Sequence, residues 1–165
     1  IRKEKGARPE SRSIVQHEGL GKPVTYLGRY AEKYRAEGDS TLTNGLCGDW
    51  GYLEGRWQGF IDSTGVDVIV DMGKVTDIKD VEANFMHQLE AVIYAPNTIT
   101  LLVSKDGKKF TTIDKTLPGI KTNSDYLVYP YRWKGSVQAR YVRLKATSRE
   151  KDAWLFTDEI IINKK

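Results

Sequence analysis

At 165 residues, with 39% hydrophobic side chains, four Trp and nine Tyr, the chain has the apolar content of one compact domain and no compositional mark of disorder. No apolar run approaches the roughly 18 residues of a membrane span, and a single Cys47 excludes an intramolecular disulfide and a Cys-rich zinc site. The net charge of +4 divides into +3 over residues 1–12, +2 at Lys164 and Lys165 and −1 over the rest, so no continuous basic stripe follows a phosphate backbone and nucleic acid is set aside.

Residues 1–21 are charged and broken by Gly6, Pro9, Gly19 and Gly21, which predicts a linker or the end of a preceding domain, with the module itself spanning 22–165. The N-terminus carries no signal-peptide h-region, and the chain reads as a soluble piece of something longer. His17-Glu18-Gly19-Leu20 opens like a zinc-protease motif but lacks its second His, and Gly21-Lys22 lacks the hydroxyl residue and spacing of a phosphate loop. A first strand is expected over 24–27 and a helical turn over 30–35, ahead of Gly38.

The chain is organised around residues 42–60, where Gly45, Gly48, Gly51, Gly55 and Gly59 alternate with Trp50, Tyr52, Trp57 and Phe60. That density of glycine predicts a shaped loop, with regular structure beginning only near Trp57. Two readings stand for the rings. Exposed rings beside Asn44, Asp49, Glu54 and Arg56 make a surface on which the apolar face of a sugar can lie. Buried rings plug one end of a β-core, the reading favoured for Trp57 and Phe60.

After this loop, residues 66–72 alternate as a half-buried strand closed by Gly73-Lys74, and 75–85 continue as strand. An irregular loop is expected over 86–97. Residues 98–104 and 110–114 form a hairpin about Asp106-Gly107. Residues 117–135, with Pro118, Gly119, Pro130 and Gly135, read as a long crossing connection containing a short strand. Residues 137–146 alternate again, a polar loop covers 147–153, and 154–163 form the last strand. About eight short strands with almost no helix predict an all-β fold, an antiparallel sandwich.

Five segments, in this order, resemble the discoidin or coagulation-factor-5/8-type C domain, family 32 among carbohydrate-binding modules. They are Leu42-Thr43-Asn44-Gly45, the strand 68–73 ending in Asp71-Met72-Gly73, Val103-Ser104-Lys105-Asp106-Gly107-Lys108-Lys109-Phe110, Arg140-Tyr141-Val142-Arg143-Leu144, and Asp158-Glu159-Ile160. Residues 17–24, 30–38, Trp57-Gln58-Gly59-Phe60 and Ala153-Trp154-Leu155-Phe156 further resemble the C-terminal module of bacterial family 20 β-hexosaminidases, or chitobiases. The resemblance implies an eight-stranded antiparallel jelly-roll β-sandwich over residues 20–163, a glycan as partner, a catalytic domain upstream in the same polypeptide, and a periplasmic, cell-surface or secreted bacterial location.

It also implies where a sugar would bind: loops at one end of the sandwich, here 42–60, 86–97 and 147–154. Trp50, Tyr52 and Trp154 are the ring candidates, with a core role for Trp154 as the alternative. His87 and Gln88 stand where relatives carry an Arg; both can donate to and accept from hydroxyls, while a lone His is also an ordinary packing residue. A structural calcium beside the first loop is implied, held by backbone carbonyls together with Asn44, Asp49 and Glu159, since hard cations take several oxygens; the alternative for Asn44-Gly45 is a plain turn. Asp49, Glu54, Glu90, Asp158 and Glu159 supply carboxylates for glycoside chemistry, but with only His17 and His87 no nucleophile–His–acid set accompanies them. A noncatalytic module is therefore expected, with sugar binding ahead of membrane adhesion, which would want Lys or Arg beside Trp50 and Leu53. A purely architectural brace for the catalytic domain is the rival.

Overall fold

The structure, a computed structural model, describes residues 14–49, 51–53, 55–61, 63–120 and 126–165. Among these run seven strands: β1 (Val24–Gly28), β2 (Gln58–Phe60), β3 (Val66–Gln88), β4 (Thr98–Ser104), β5 (Thr111–Thr116), β6 (Tyr126–Thr147) and β7 (Leu155–Ile162). Short 3-10 turns occupy Glu32–Tyr34, Gly38–Thr43 and Leu89–Ala91.

β3 and β6, of 23 and 22 residues, pair antiparallel from Val66–Ala146 to Gln88–Tyr126, with register shifts between Asp71 and Thr76 and between Ile78 and Asp80. Their halves take different outer neighbours. The first half of β3 pairs β1, and the second half of β6 pairs β4, with β5 beyond. The second half of β3 pairs β7, and β2 lies beyond it. Each long strand therefore passes from a β1-β3-β6-β4-β5 layer into a β2-β7-β3-β6 layer. The turn in β3 falls at Gly73, whose φ of +87° suits glycine and whose N–H donates to Asp71 Oδ1 at 2.8 Å.

One core lies between the layers: Val66, Val68, Val70, Leu101, Val142 and Leu144 meet Val81, Phe85, Ile160 and Ile162. The alternation of the sequence carries this directly, since residues two apart share a face. The outward residues of the same strands pair by charge: Arg143 grips Asp67 with two bonds of 2.8 Å, and Arg140 grips Asp71 at 2.8 and 3.1 Å.

The expected antiparallel sandwich is the fold observed, with 54% of the described residues in strands and bridges and 8% in helical turns. Four details differ. Segments expected as separate short strands join into continuous β3 and β6. The 117–135 connection is mostly strand, because the first half of β6 is an edge where Pro130 removes no ladder bond. β3 runs on through His87 and Gln88, which stand in a strand end instead of a loop. The boundary at residue 21 also moves: Glu18 N–H donates to Ile162 O at 2.8 Å and Gly21 N–H to Thr43 O at 2.7 Å, so the described part of the expected linker packs as part of the module. No helix among the described residues is long and apolar enough to cross a membrane.

Candidate functional site

The central stretch, the 88–97 turn and the 147–154 loop gather at the end of the sandwich where β7 begins, with Trp154 bridged to Ile93. Trp57-Gln58-Gly59-Phe60 builds this end. Trp57 and Phe60, each 1% exposed, plug it. The Trp57 indole lies against Gly48, where any Cβ would collide with it, and donates from Nε1 to Asp49 O at 2.9 Å. The fully buried Gln58 carboxamide accepts from Tyr26 Oη (2.7 Å) and donates to the carbonyls of Arg35 (3.0 Å) and Gly38 (2.9 Å), fixing the loop that carries Tyr34. Gly59 leaves room for two rings: a Cβ there would stand 2.8 Å from Phe156 and 2.9 Å from Tyr34.

Above this plug, three half-buried rings surround the buried Phe156. Tyr34 meets Trp154 edge-to-face at 4.8 Å, Tyr52 at 5.7 Å and Phe156 at 5.1 Å; Tyr52 and Trp154 stand 5.5 and 5.8 Å from Phe156. Tyr52 and Trp154 are thus brought together as the sequence predicts. Trp50 lies outside the described residues. Tyr34 and Phe156 were missed by the motif reading. Phe156 was signalled by its place two residues from Trp154, on the same face of β7. Tyr34 comes from a distant 3-10 turn and carried no such signal. Lys33 Nζ lies 5.1 Å from the Tyr34 ring. At the same end, the 147–152 loop with Ile61 and Ser63 encloses an open cleft of about 360 Å³, separate from the rings in its lining, where Ser63, Thr147, Ser148, Glu150, Lys151 and Asp152 offer side chains suited to hydroxyl groups.

His87 and Gln88 part company. Met86 packs with Trp57, Ile93 and Phe156, and Gln88 shares its side of β3. His87 faces the other way and is fully buried. Its Nδ1 accepts from Ala95 N–H at 2.9 Å, which puts the ring proton on Nε2, an atom without a partner among the described residues. Burial, and secondarily the Arg149 charge, lower its pKa, so the ring is neutral at physiological pH. Arg149, absent from the sequence-based candidates, lies over the Tyr94 ring at 5.9 Å and donates to Ile120 O at 3.1 Å. The expectation of His87 as an accessible hydroxyl ligand is therefore corrected: strand parity turns it inward.

The three residues expected around calcium are engaged otherwise. Asn44 Oδ1 accepts from Leu46 N–H at 2.9 Å, and its Nδ2 donates to Glu37 at 3.2 Å, the turn alternative. Asp49 contributes its carbonyl to Trp57. Glu159 Oε2 accepts from Gly45 N–H (2.7 Å) and His17 Nε2 (2.8 Å). Next to it Asp158 accepts from the N–H groups of Gly48 (2.8 Å) and Glu159 (2.6 Å) and from Asn84 (3.3 Å). Two N–H donors aimed at one carboxylate oxygen occupy the direction a cation would need, and among the described residues no group of three His, Cys, Asp or Glu side chains could hold a metal. These side chains alone do not make a calcium cage.

Burial pushes Asp158 up to about 6 and Glu159 up to about 7, against the pull of those bonds. Between about pH 4 and 7 the native chain then holds protons that the unfolded chain has released, so stability falls as pH rises through that window. Below it the sign reverses: Asp106, lowered to about 2 by the N–H groups of Lys109 and Lys108 and by Ser104, loses its contribution as acid is added. The expected thermal midpoint is higher at pH 5 than at pH 8, with a smaller difference in Asp158→Asn, as pH-dependent melting checks.

The family model for the F5/8 type C domain matches residues 26–160. Among solved structures, the chitosan-binding module 1 of a chitosanase/glucanase from Paenibacillus sp. IK-5 superposes with a TM-score of 0.59 at 18% identity, covering 89% of this chain and 98% of that one. A Streptococcus pneumoniae fucose binding module gives 0.58 at 11% identity, covering 92% and 96%. The lectin domain of lectinolysin, complexed with Lewis B antigen, gives 0.58 at 14%, covering 91% and 97%. At such identities the likeness is one of fold. No curated protein matches the chain.

Proposed function

The chain belongs to the F5/8 type C domain family, and from that premise we propose that it is a noncatalytic carbohydrate-binding module that holds glycans at the loop end of its sandwich. The observation that carries this reading is the cluster of half-buried Tyr34, Tyr52 and Trp154 over Phe156, at the loop end that also holds a cleft of hydroxyl and charged side chains. Rings offer a face to sugar C–H groups and the cleft offers hydrogen bonds to hydroxyls. Structural neighbours named for binding chitosan, fucose and Lewis B antigen support the ligand class. The buried carboxylates Asp158 and Glu159 secure main-chain N–H groups of the central loop, a structural task. In finer terms, the resemblance of the Trp57–Phe60 and Ala153–Phe156 motifs points to a terminal galactose- or N-acetylhexosamine-type sugar, an upstream family 20 β-hexosaminidase in the same polypeptide, and a secreted, periplasmic or surface setting.

An open site of this kind binds on the order of 0.1–1 mM, or about 4–5.5 kcal/mol. Calorimetric titration with galactose, N-acetylgalactosamine, N-acetylglucosamine and chitobiose is expected to give saturable binding of at least one. Silence for all of them at roughly ten times that concentration would leave the bracing role. That second reading has its own support: the rings pack edge-to-face on one another, as a docking surface for a neighbouring domain would also have them.

A further inference from the structure

The residues around Glu159 decline a cation, and what they hold instead is an imidazole. We infer that His17 takes the place of a structural divalent cation in this module, so that the 14–22 segment clamps the central loop to β7 without metal. His17 and Glu159 are both fully buried side chains, 2.8 Å apart and 142 residues apart in sequence. The tautomer is set by the backbone: Nδ1 accepts from Gly19 N–H at 3.1 Å and Ile162 N–H at 3.3 Å, so Nε2 carries the proton and donates to Glu159 Oε2. That same oxygen receives Gly45 N–H at 2.7 Å. One carboxylate oxygen thereby joins the N-terminal segment, the central loop and the last strand, the latter two being the parts a cation held by Asn44, Asp49 and Glu159 would tie together.

The surrounding backbone continues the clamp. Val15 N–H donates to Gly45 O at 2.9 Å, Gly21 N–H to Thr43 O at 2.7 Å and Lys165 N–H to Gln16 O at 2.9 Å, and His17 bridges to Lys164. Gly45, at a φ of +82°, lies so close under Ile14 and Leu20 that a Cβ would collide with both. The segment therefore covers the central loop at Gly45. Glu159 Oε1 is buried without a side-chain or backbone partner, the one oxygen of this carboxylate that the clamp leaves open, and a single carboxylate oxygen is a small part of the six to eight oxygens that calcium takes.

The test is thermal melting of the unmodified chain in chelator and in millimolar calcium, beside His17→Ala and His17→Gln. The expected result is one melting temperature for the unmodified chain in both solutions, and a fall of about 5–10 °C in His17→Ala from loss of the buried bond. Amide resonances of residues 43–48 and Ile162 should move in the variants while those of β4 and β5 stay in place. A calcium-dependent rise in the unmodified chain, or a His17→Ala variant that melts with it, would overturn the inference. Should His17→Ala fail to fold, the calcium comparison on the unmodified chain decides, because it needs no variant.

Discussion

Trp57→Ala is expected to lower the free energy of unfolding by about 3–5 kcal/mol, a large share of the roughly 5–15 kcal/mol that holds an ordinary domain together. Trp57 is the largest fully buried side chain and 1% exposed. Its removal leaves a cavity bounded by Met86 and Phe156, whose strands are fixed by their own ladders, and by Ile93, bridged to Gln88 and Trp154, so that the walls cannot collapse into it. It also leaves Asp49 O without the indole N–H and takes from Gly48 the surface it lies on. For a chain of this length the loss corresponds to about 6–20 °C in melting temperature. Denaturant unfolding checks it: the midpoint should fall with little change in slope, while Leu53→Ala, at 75% exposure, should stay within about 0.5 kcal/mol of the parent.

Trp154→Ala is expected to cost sugar affinity about tenfold or more, or about 1.4 kcal/mol, pushing a millimolar site beyond practical detection. The indole is half-buried against Tyr34 and Phe156, and its backbone is held by Val92 O at 2.9 Å and by Tyr94 N–H at 3.1 Å. Those two backbone bonds survive the substitution, so the loop keeps its course while the ring face is lost. Tyr52→Ala should act in the same direction with smaller effect, because its ring touches the cluster from the glycine-rich loop alone. Calorimetry on both variants, with unchanged far-ultraviolet dichroism as the control, measures this. His87→Asn should leave affinity intact and lower stability instead, since His87 is an interior residue.

The division between what sequence pattern carries and what it does not follows the range of the forces involved. Alternation over 66–72 and 137–146 placed Val68, Val70, Val142 and Leu144 inside, and the Asp106-Gly107 pair marked the β4–β5 hairpin, where Asp106 Oδ1 caps Lys108 and Lys109 N–H. Both signals are local. The joining of short segments into β3 and β6 was not legible, because Gly73 and Gly135 read as terminators when a bend between layers needs the same glycine. The face that His87 takes was hidden for a related reason: the two-residue period says that His87 and Gln88 point apart, and only the course of the chain through Tyr94 and Ala95, which covers the His87 ring, says which one is interior. Tyr34 and His17 reach their partners across distant stretches of chain, contacts that no spacing rule anticipates.

The central claim is that sugar sits on the loop end, over Tyr52 and Trp154. Amide chemical-shift mapping during titration with the best-binding sugar of the panel addresses it most directly, because it reports place and affinity together. Saturable shifts are expected only at residues 33–35, 51–53, 92–94 and 147–156, with those of β4 and β5 unmoved, and no such shifts in Trp154→Ala. Saturable shifts at the opposite end, around Gly73 and Gly135, or a saturating sugar that moves none of these loops, would contradict it.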